Sequence, residues 1–480
     1  MNIFKDRFSE IKKASEPLYK SPKPVQETIE IQKISEIGIF EVADGKYSKT
    51  YRFSDVNYAT RSEEEQESFF QRYCRCLNSF DCTFKITVNN KNKDMDVLRN
   101  EVMLKYRNDG FDKMRESYNR IIEEKILEGR QGIEQERYLT ITIERKNFEE
   151  AKAQFATIEA SMFRSFAELG SKLTPLTGNE RLKILHDYYR LGREDEFNFD
   201  IRQGRITGTD FRNEICNTRI KYHPDYFENE GKVGRVLFIK KYPTYLSDRF
   251  FTELTFLPVH SVTSVDVVPV PKDLTMKMLQ KKYLGIESDI IKQQRTRNRN
   301  NDFSSDISYA TRQKKKDIEE IMNNVRENDE SLYYVSVTMI VMADDRDELE
   351  SICETVDSIA KGAGCAVDTC MYKQREAVNT TLPIGVRQIE TMRTMLTQSL
   401  AVLMPFNVQE LCDRNGIYYG VNQISKNIIV GNRKKLLNGN GFIFGVSGAG
   451  KSFQAKMEMG SVLLSTDDNV IAVDPMNEYE

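Results

Sequence analysis

The chain has 480 residues, 30% charged and 39% hydrophobic, with 70 Lys plus Arg against 73 Asp plus Glu and a formal net charge of −3. At about 150 residues per domain this length suggests about three domains. The balanced charge argues against a dedicated nucleic-acid coat or a polybasic membrane binder. No uncharged apolar run approaches the ~20 residues of a membrane span, and Met1–Asp6 lacks an apolar signal core, so a soluble, non-secreted protein without an integral membrane span is expected.

Residues 1–30 carry Pro17, Pro22 and Pro24 among charged residues and read as a short helix followed by an extended linker. An α+β domain is expected over 31–175. Its elements are a strand at Tyr47–Tyr58, a helix at Glu63–Asn78 and a strand at Thr83–Asn89, where Phe84, Ile86 and Val88 alternate. A polar helical stretch then runs to about Ile133, a strand covers Arg137–Glu144, and Phe148–Leu169 shows apolar residues at steps of three and four. Pro175 and Gly178 open a connecting helical segment, 176–232, with a short helix over Glu180–Tyr189. The second α+β subdomain, 233–385, has strands at Val236–Lys240, Ser261–Val270 and Tyr333–Met342, and helices at Lys277–Lys292 and Arg346–Lys361. Ala366–Tyr372 closes it as a strand. Strand–helix–strand met twice is compatible with a ferredoxin-like split βαβ unit used twice.

Lys292–Lys316 concentrates eight basic residues (Lys292, Arg295, Arg297, Arg299, Arg312, Lys314, Lys315 and Lys316) against Asp302 and Asp306. Such an excess suits a DNA phosphate backbone; a solvated loop between two helices is the alternative, and Phe303 and Tyr309 are thin provision for base stacking. The cysteines, at 74, 76, 82, 216, 353, 365, 370 and 412, form no Cys-x-x-Cys pair, and His186, His223 and His260 stand far apart. Buried or surface thiols in a reducing cytosol are expected, in preference to zinc or disulfides.

The motif that carries chemistry comes late. Gly445-Val446-Ser447-Gly448-Ala449-Gly450-Lys451-Ser452 matches G-x-x-x-x-G-K-[ST] in full. Apolar Phe442–Phe444 precedes it as a predicted strand, and Phe453–Leu464 follows as a predicted helix. Strand, glycine loop and helix are what phosphate binding needs: glycines let consecutive N–H groups converge on phosphate oxygens, and the helix dipole adds a positive field. Lys451 can reach the β- and γ-phosphates of ATP, and the Ser452 hydroxyl can ligate Mg2+. Gly445, Val446, Ser447, Gly448, Ala449, Gly450, Lys451, Ser452 and Phe453 are therefore the expected nucleotide-binding residues.

Val470–Asp474 reads as a buried parallel strand ending in an acid, so 441–474 is expected to form one βαβ unit opening an α/β domain over 386–480. Asp474 at the strand end can touch magnesium through water, and Glu478 can polarise the attacking water; a strand cap and a turn acid are the competing reading. Thr338–Asp345 superficially resembles a second acidic strand of such a motor, but Asp344 or Asp345 better explains the N-cap of the following helix. Some 29 residues follow Lys451, about one βαβ unit, so the chain reads as the front of a longer motor, ending before a Walker-B strand.

Leu436–Gly445 running into the phosphate loop, then Asp474-Pro475 with Glu478-Tyr479, resembles the VirB-type assembly ATPases of conjugative type IV secretion systems, especially those of Gram-positive conjugative elements. Gln374–Pro383, Tyr419–Asn422 and Asn427–Val430 support the likeness. It implies α+β N-terminal domains that dock on inner-membrane subunits of a secretion channel, followed by the start of a RecA-like P-loop ATPase domain. That domain would hexamerise and hydrolyse ATP to drive assembly or transfer, at the cytoplasmic face of the membrane. Walker-A residues carry over to Gly445, Gly448, Gly450, Lys451 and Ser452; the Walker-B carboxylates and arginine finger have no counterpart. A DNA-translocating motor of the HerA or FtsK kind and a non-catalytic adaptor for channel subunits are the alternatives.

Overall fold

The computed structural model describes residues 25–92, 99, 102–128, 133–216, 219–243, 245–299, 309–411, 413, 416–423, 427–446 and 448–475. The helix and linker expected over 1–30 thus lie outside the described residues up to 24. From there β1 (Lys33–Ile34), β2 (Ile39–Ala43) and β3 (Lys46–Phe53) form a meander, followed by the helix Glu63–Asn78 and β4 (Thr83–Asn92). A helical excursion, ending in the helix Asp112–Glu128, leads to β5 (Ile133–Glu144), the helix Phe148–Leu169 and β6 (Leu173–Pro175). These helices end where local chemistry tells them to. Ser62 and Glu65 make a reciprocal capping box, and Phe148–Leu169 runs from an Asn147 cap to Gly170, whose φ of +80° stops it in the left-handed region.

The short strands β7 (Ile220–Tyr222) and β8 (Phe227–Asn229) precede a second unit: β9 (Lys232–Lys241), the helix Arg249–Thr255, β10 (Ser261–Val270), β11 (Leu332–Ala343), the helix Arg346–Gly362 and β12 (Ala366–Thr369). Between β10 and β11 stand the helices Lys272–Arg299 and Tyr309–Glu327, packed on each other. Residues 292–299 and 309–316, expected as loop, are therefore helical. Lys, Arg and Gln are good helix formers, and the two helices support each other through Lys315, which pairs with Glu287 at 3.1 Å and lies over the Tyr283 ring.

Both units share one strand order. β6-β3-β5-β4 and β12-β9-β11-β10 each place the fourth strand beside the first, then the third, then the second. The second strands then pair with each other, Ser261 opposite Asn90 through Val267 opposite Phe84, so thirteen strands form one antiparallel sheet among the described residues. β13 (Arg393–Leu396) adds to β11. A separate hairpin, β14 (Ile417–Val421) with β15 (Ile428–Gly431), follows. No helix among the described residues is long and apolar enough to cross a membrane.

Strand alternation sorts the sheet into two faces. Phe84, Ile86, Val88, Leu139, Ile141, Val265, Val267, Val335 and Val337 bury against the helices Glu63–Asn78, Phe148–Leu169, Arg249–Thr255 and Arg346–Gly362. At its centre the opposite face is polar: Ser48, Thr50, Lys85, Thr87, Thr140, Thr142, Ser264 and Asp266 are all buried. The chain after the helix Gln374–Thr381 lies across them and supplies acceptors. Ser48 Oγ donates to Ile384 O (2.6 Å), Thr142 Oγ1 to Gly385 O (3.0 Å) and Ser264 Oγ to Thr381 O (2.5 Å). Lys85 Nζ donates to the carbonyls of Thr380, Leu382 and Val386, and Arg181 Nη2 to Pro383 O. Gly385 is required here: its φ is +97°, and a Cβ would sit 2.6 Å from Ser48 Cβ. A buried polar seam, satisfied by peptide carbonyls, thus fastens 380–387 across the unit junction.

Candidate phosphate-binding site

The glycine motif sits on the helix Lys451–Ser465. Its N-cap is Gly450, with φ +83°, and Gly448 also has φ +81°; both conformations disfavour a side chain. Ala449 N donates to Val446 O (3.2 Å), which closes the turn. Lys451 Nζ folds back onto the loop and donates to Gly445 O (2.6 Å) and Val446 O (3.2 Å). At Gly445 a Cβ would lie 3.2 Å from Ala449 Cβ, so a small residue suits the curl. Gly445, Val446, Gly448, Ala449, Lys451, Ser452 and Phe453 are solvent-exposed, leaving the helix N-terminus open. The lysine ammonium, the Ser452 hydroxyl and the free N–H groups of a first helical turn are the donor set that a polyphosphate with Mg2+ requires, and nothing lies within 4 Å of where a Cβ would stand on Gly448 or Gly450.

Ser447 and Glu478, two predicted site residues, lie outside the described residues. Asp474 is half-buried in the extended segment after the helix. The strands predicted at Phe442–Phe444 and Val470–Asp474 are a correction: neither joins a ladder among the described residues, so no βαβ unit forms there. Phe442, Phe444, Ile471 and Val473 are each more than 80% exposed. Parallel strands need both faces covered and neighbours on their edges, and these segments have no ladder partner among the described residues. The reading of Asp344–Asp345 as a helix cap holds: Asp345 accepts from Glu348 N at 2.9 Å at the start of Arg346–Gly362.

Sequence reasoning missed the residues that hold the loop helix. Glu458 accepts from Arg433 (2.6 Å) and from the Tyr419 hydroxyl (3.0 Å), tying the helix to the β14–β15 hairpin. Arg107 and Arg115, from the excursion between β4 and β5, reach its far end. Only the charges themselves were visible in sequence, because partners tens to hundreds of positions apart leave no local pattern. Compared with known proteins, the chain matches no family model and no curated sequence.

Proposed function

We propose that residues 445–453 bind the triphosphate of ATP with Mg2+. We propose further that the chain is an ATPase component of a conjugative type IV secretion system, energising channel assembly and DNA or protein transfer from the cytoplasmic face of the membrane. One observation carries the nucleotide reading: a complete phosphate-loop motif whose Lys451 opens a helix with a solvent-exposed N-terminus. The channel assignment rests on the resemblance of 436–452 and 474–479. In this reading Lys451 would exchange the carbonyls of Gly445 and Val446 for the phosphates, loop N–H groups would orient them, and Ser452 and Asp474 are the residues that would hold the cation. Magnesium, when bound, neutralises phosphate charge. Glu478 orients the attacking water.

The shared strand order supports reading the two units as ferredoxin-like split βαβ modules, and the phosphate-loop motif supports reading 386–480 as the start of a RecA-like P-loop domain. Docking on inner-membrane channel subunits and hexamer formation belong to the same proposal. A DNA-translocating motor of the HerA or FtsK kind is the second reading. The basic helix Lys272–Arg299 favours it, because clustered Lys and Arg suit a phosphate backbone. ATP turnover stimulated by DNA would select that reading; binding of channel subunits without turnover would select an adaptor.

The decisive experiment titrates a fluorescent ATP analogue with Mg2+ into wild type and Lys451→Ala. Wild type binds and the variant does not, because the charge facing the phosphates is gone. Equal affinity in the two proteins, or no binding by wild type, refutes the nucleotide reading.

A further inference from the structure

The helix Lys451–Ser465 is gripped at its middle and at its end. About two turns beyond Lys451, Glu458 is fixed by Arg433 and Tyr419, and the Arg433 guanidinium also lies against Gly441, where a Cβ would stand 2.9 Å from Nη1. At the C-terminus Arg107 donates to Ser465 O (3.0 Å) and Thr466 O (3.2 Å) and pairs with Asp467 (2.6 Å). Arg115 Nε donates to Leu464 O at 3.2 Å. The Arg115 side chain is 1% exposed, and its remaining nitrogens are fixed by Asp109 (2.5 Å) and Asp112 (2.8 Å). Three consecutive carbonyls that a helix end leaves unpaired are thus read by two guanidinium groups.

Both arginines belong to residues 102–128, the excursion between the second and third strands of the first unit. The same segment packs Val102, Ile122 and Ile126 on Ile428 and Val430 of the β14–β15 hairpin, and Tyr418 N donates to the Tyr118 hydroxyl (3.3 Å). It therefore contacts the helix end and the hairpin that holds the helix middle.

We propose that residues 102–128 are a relay: Arg107 and Arg115 set the position of the phosphate-loop helix and carry nucleotide occupancy from its N-terminus to the segment 102–128 that packs on the β14–β15 hairpin. This rests on the ATP-binding reading. Lys451 Nζ is bonded to the carbonyls of Gly445 and Val446, so engaging phosphate breaks two contacts that hold the loop against the start of the helix. A helix moves as a rigid rod along its hydrogen-bond ladder, and a shift at one end reappears at the other. Guanidinium charge at the C-terminus also neutralises the negative end of the dipole whose positive end faces the phosphates. Arg107, Arg115 and Glu458 are positioning residues; they touch no reacting atom.

The test is hydrogen exchange read by mass spectrometry on the full chain, with and without ATP and Mg2+, beside nucleotide affinity and melting temperature. Wild type should show altered exchange in 102–128 on adding nucleotide. Arg107→Ala, at a partly exposed side chain, should abolish that response and weaken nucleotide binding about two- to fivefold, with the melting temperature nearly unchanged. Arg115→Lys, which keeps the charge and loses the fork, should fall between. Nucleotide binding by wild type without any exchange response in 102–128 overturns the relay and leaves the ATP reading standing. So does an Arg107→Ala protein with unaltered affinity and response. Absence of nucleotide binding by wild type refutes the ATP reading and the relay with it. Should Arg115→Lys unfold, Arg107→Ala still decides.

Discussion

Arg137 Nη2 lies 2.5 Å from Asp55 Oδ2, and both side chains are less than a tenth exposed. Asp55 also accepts from the backbone nitrogens of Val56 (2.8 Å), Asn407 (2.9 Å) and Val408 (3.3 Å), while Arg137 Nε donates to Pro405 O (2.7 Å). Burial raises the Asp55 carboxyl pKa and lowers that of the Arg137 guanidinium, so each charge depends on the other. The pair pins 405–408 to the first unit.

Removing one partner leaves a buried charge unanswered. Asp55→Ala should cost about 3–5 kcal/mol, measured by urea unfolding. The double variant Asp55→Leu/Arg137→Met should recover most of that loss. A double variant as unstable as Asp55→Ala would mean that the backbone N–H bonds, and not the ion pair, dominate.

His260 supplies a pH dependence. It is 6% exposed, neither ring nitrogen has a hydrogen-bond partner among the described residues, and burial pushes its pKa down from 6.5 to about 4, with Lys91 adding to the shift and Asp187 opposing it. The unfolded chain therefore binds the proton more tightly. This group's contribution is complete above pH 6.5 and is lost as pH falls toward 4, by about 3 kcal/mol at most. Melting curves between pH 7 and 4.5 should show a steeper decline for wild type than for His260→Leu; parallel declines would contradict this.

Lys85 is fully buried beneath the crossing chain, and desolvation lowers its pKa from 10.5 to about 8. Lys85→Met strands the carbonyls of Thr380, Leu382 and Val386 and should cost about 2–4 kcal/mol at neutral pH. Because the folded pKa lies below the unfolded one, wild type should gain on the variant as pH rises from 8 to 10.5. Guanidinium unfolding at pH 7.5 and 10 measures both effects. A wild-type advantage that shrinks over this interval would show the shift to be in the other direction.

At the phosphate loop, Gly450→Ala forces a Cβ into a φ of +83°, at about 1–2 kcal/mol. The strain falls on the residue that opens the helix. Nucleotide affinity should therefore drop at least tenfold, while the global melting temperature moves little. Isothermal titration beside differential scanning calorimetry separates the two, and an unchanged affinity would show that the αL conformation is not needed for binding.

Local chemistry made much of the framework readable. The helices Glu63–Asn78 and Phe148–Leu169 and the strand Ser261–Val270 match their predicted bounds, because capping residues, period and flanking turns agree there. What could not be read is pairing at a distance. The β4–β10 junction is made of backbone hydrogen bonds that carry no side-chain signature. The seam under 380–387 looks in sequence like scattered Ser, Thr and Lys on alternating strands. At the site, the phosphate loop was legible as a string, whereas the Arg107, Arg115 and Arg433 contacts depend on folding. Phe442–Phe444 and Val470–Val473 show the reverse case, strand-like composition that remains unpaired among the described residues.

The two units carry their helical excursions at the same point, between second and third strands, yet put them to opposite use. Residues 102–128 are folded inward and committed to the loop helix. The pair Lys272–Arg299 and Tyr309–Glu327 is anchored near its base through Leu279 and Val325, and Leu284 and Ile291 farther along stand exposed. Like strand order, with one excursion packed on the loop helix and the other pairing its two helices with each other among the described residues, lets the second vary in length and charge without disturbing the first. Divergence among descendants of this chain should therefore accumulate in the outer arm, with the inner one held constant.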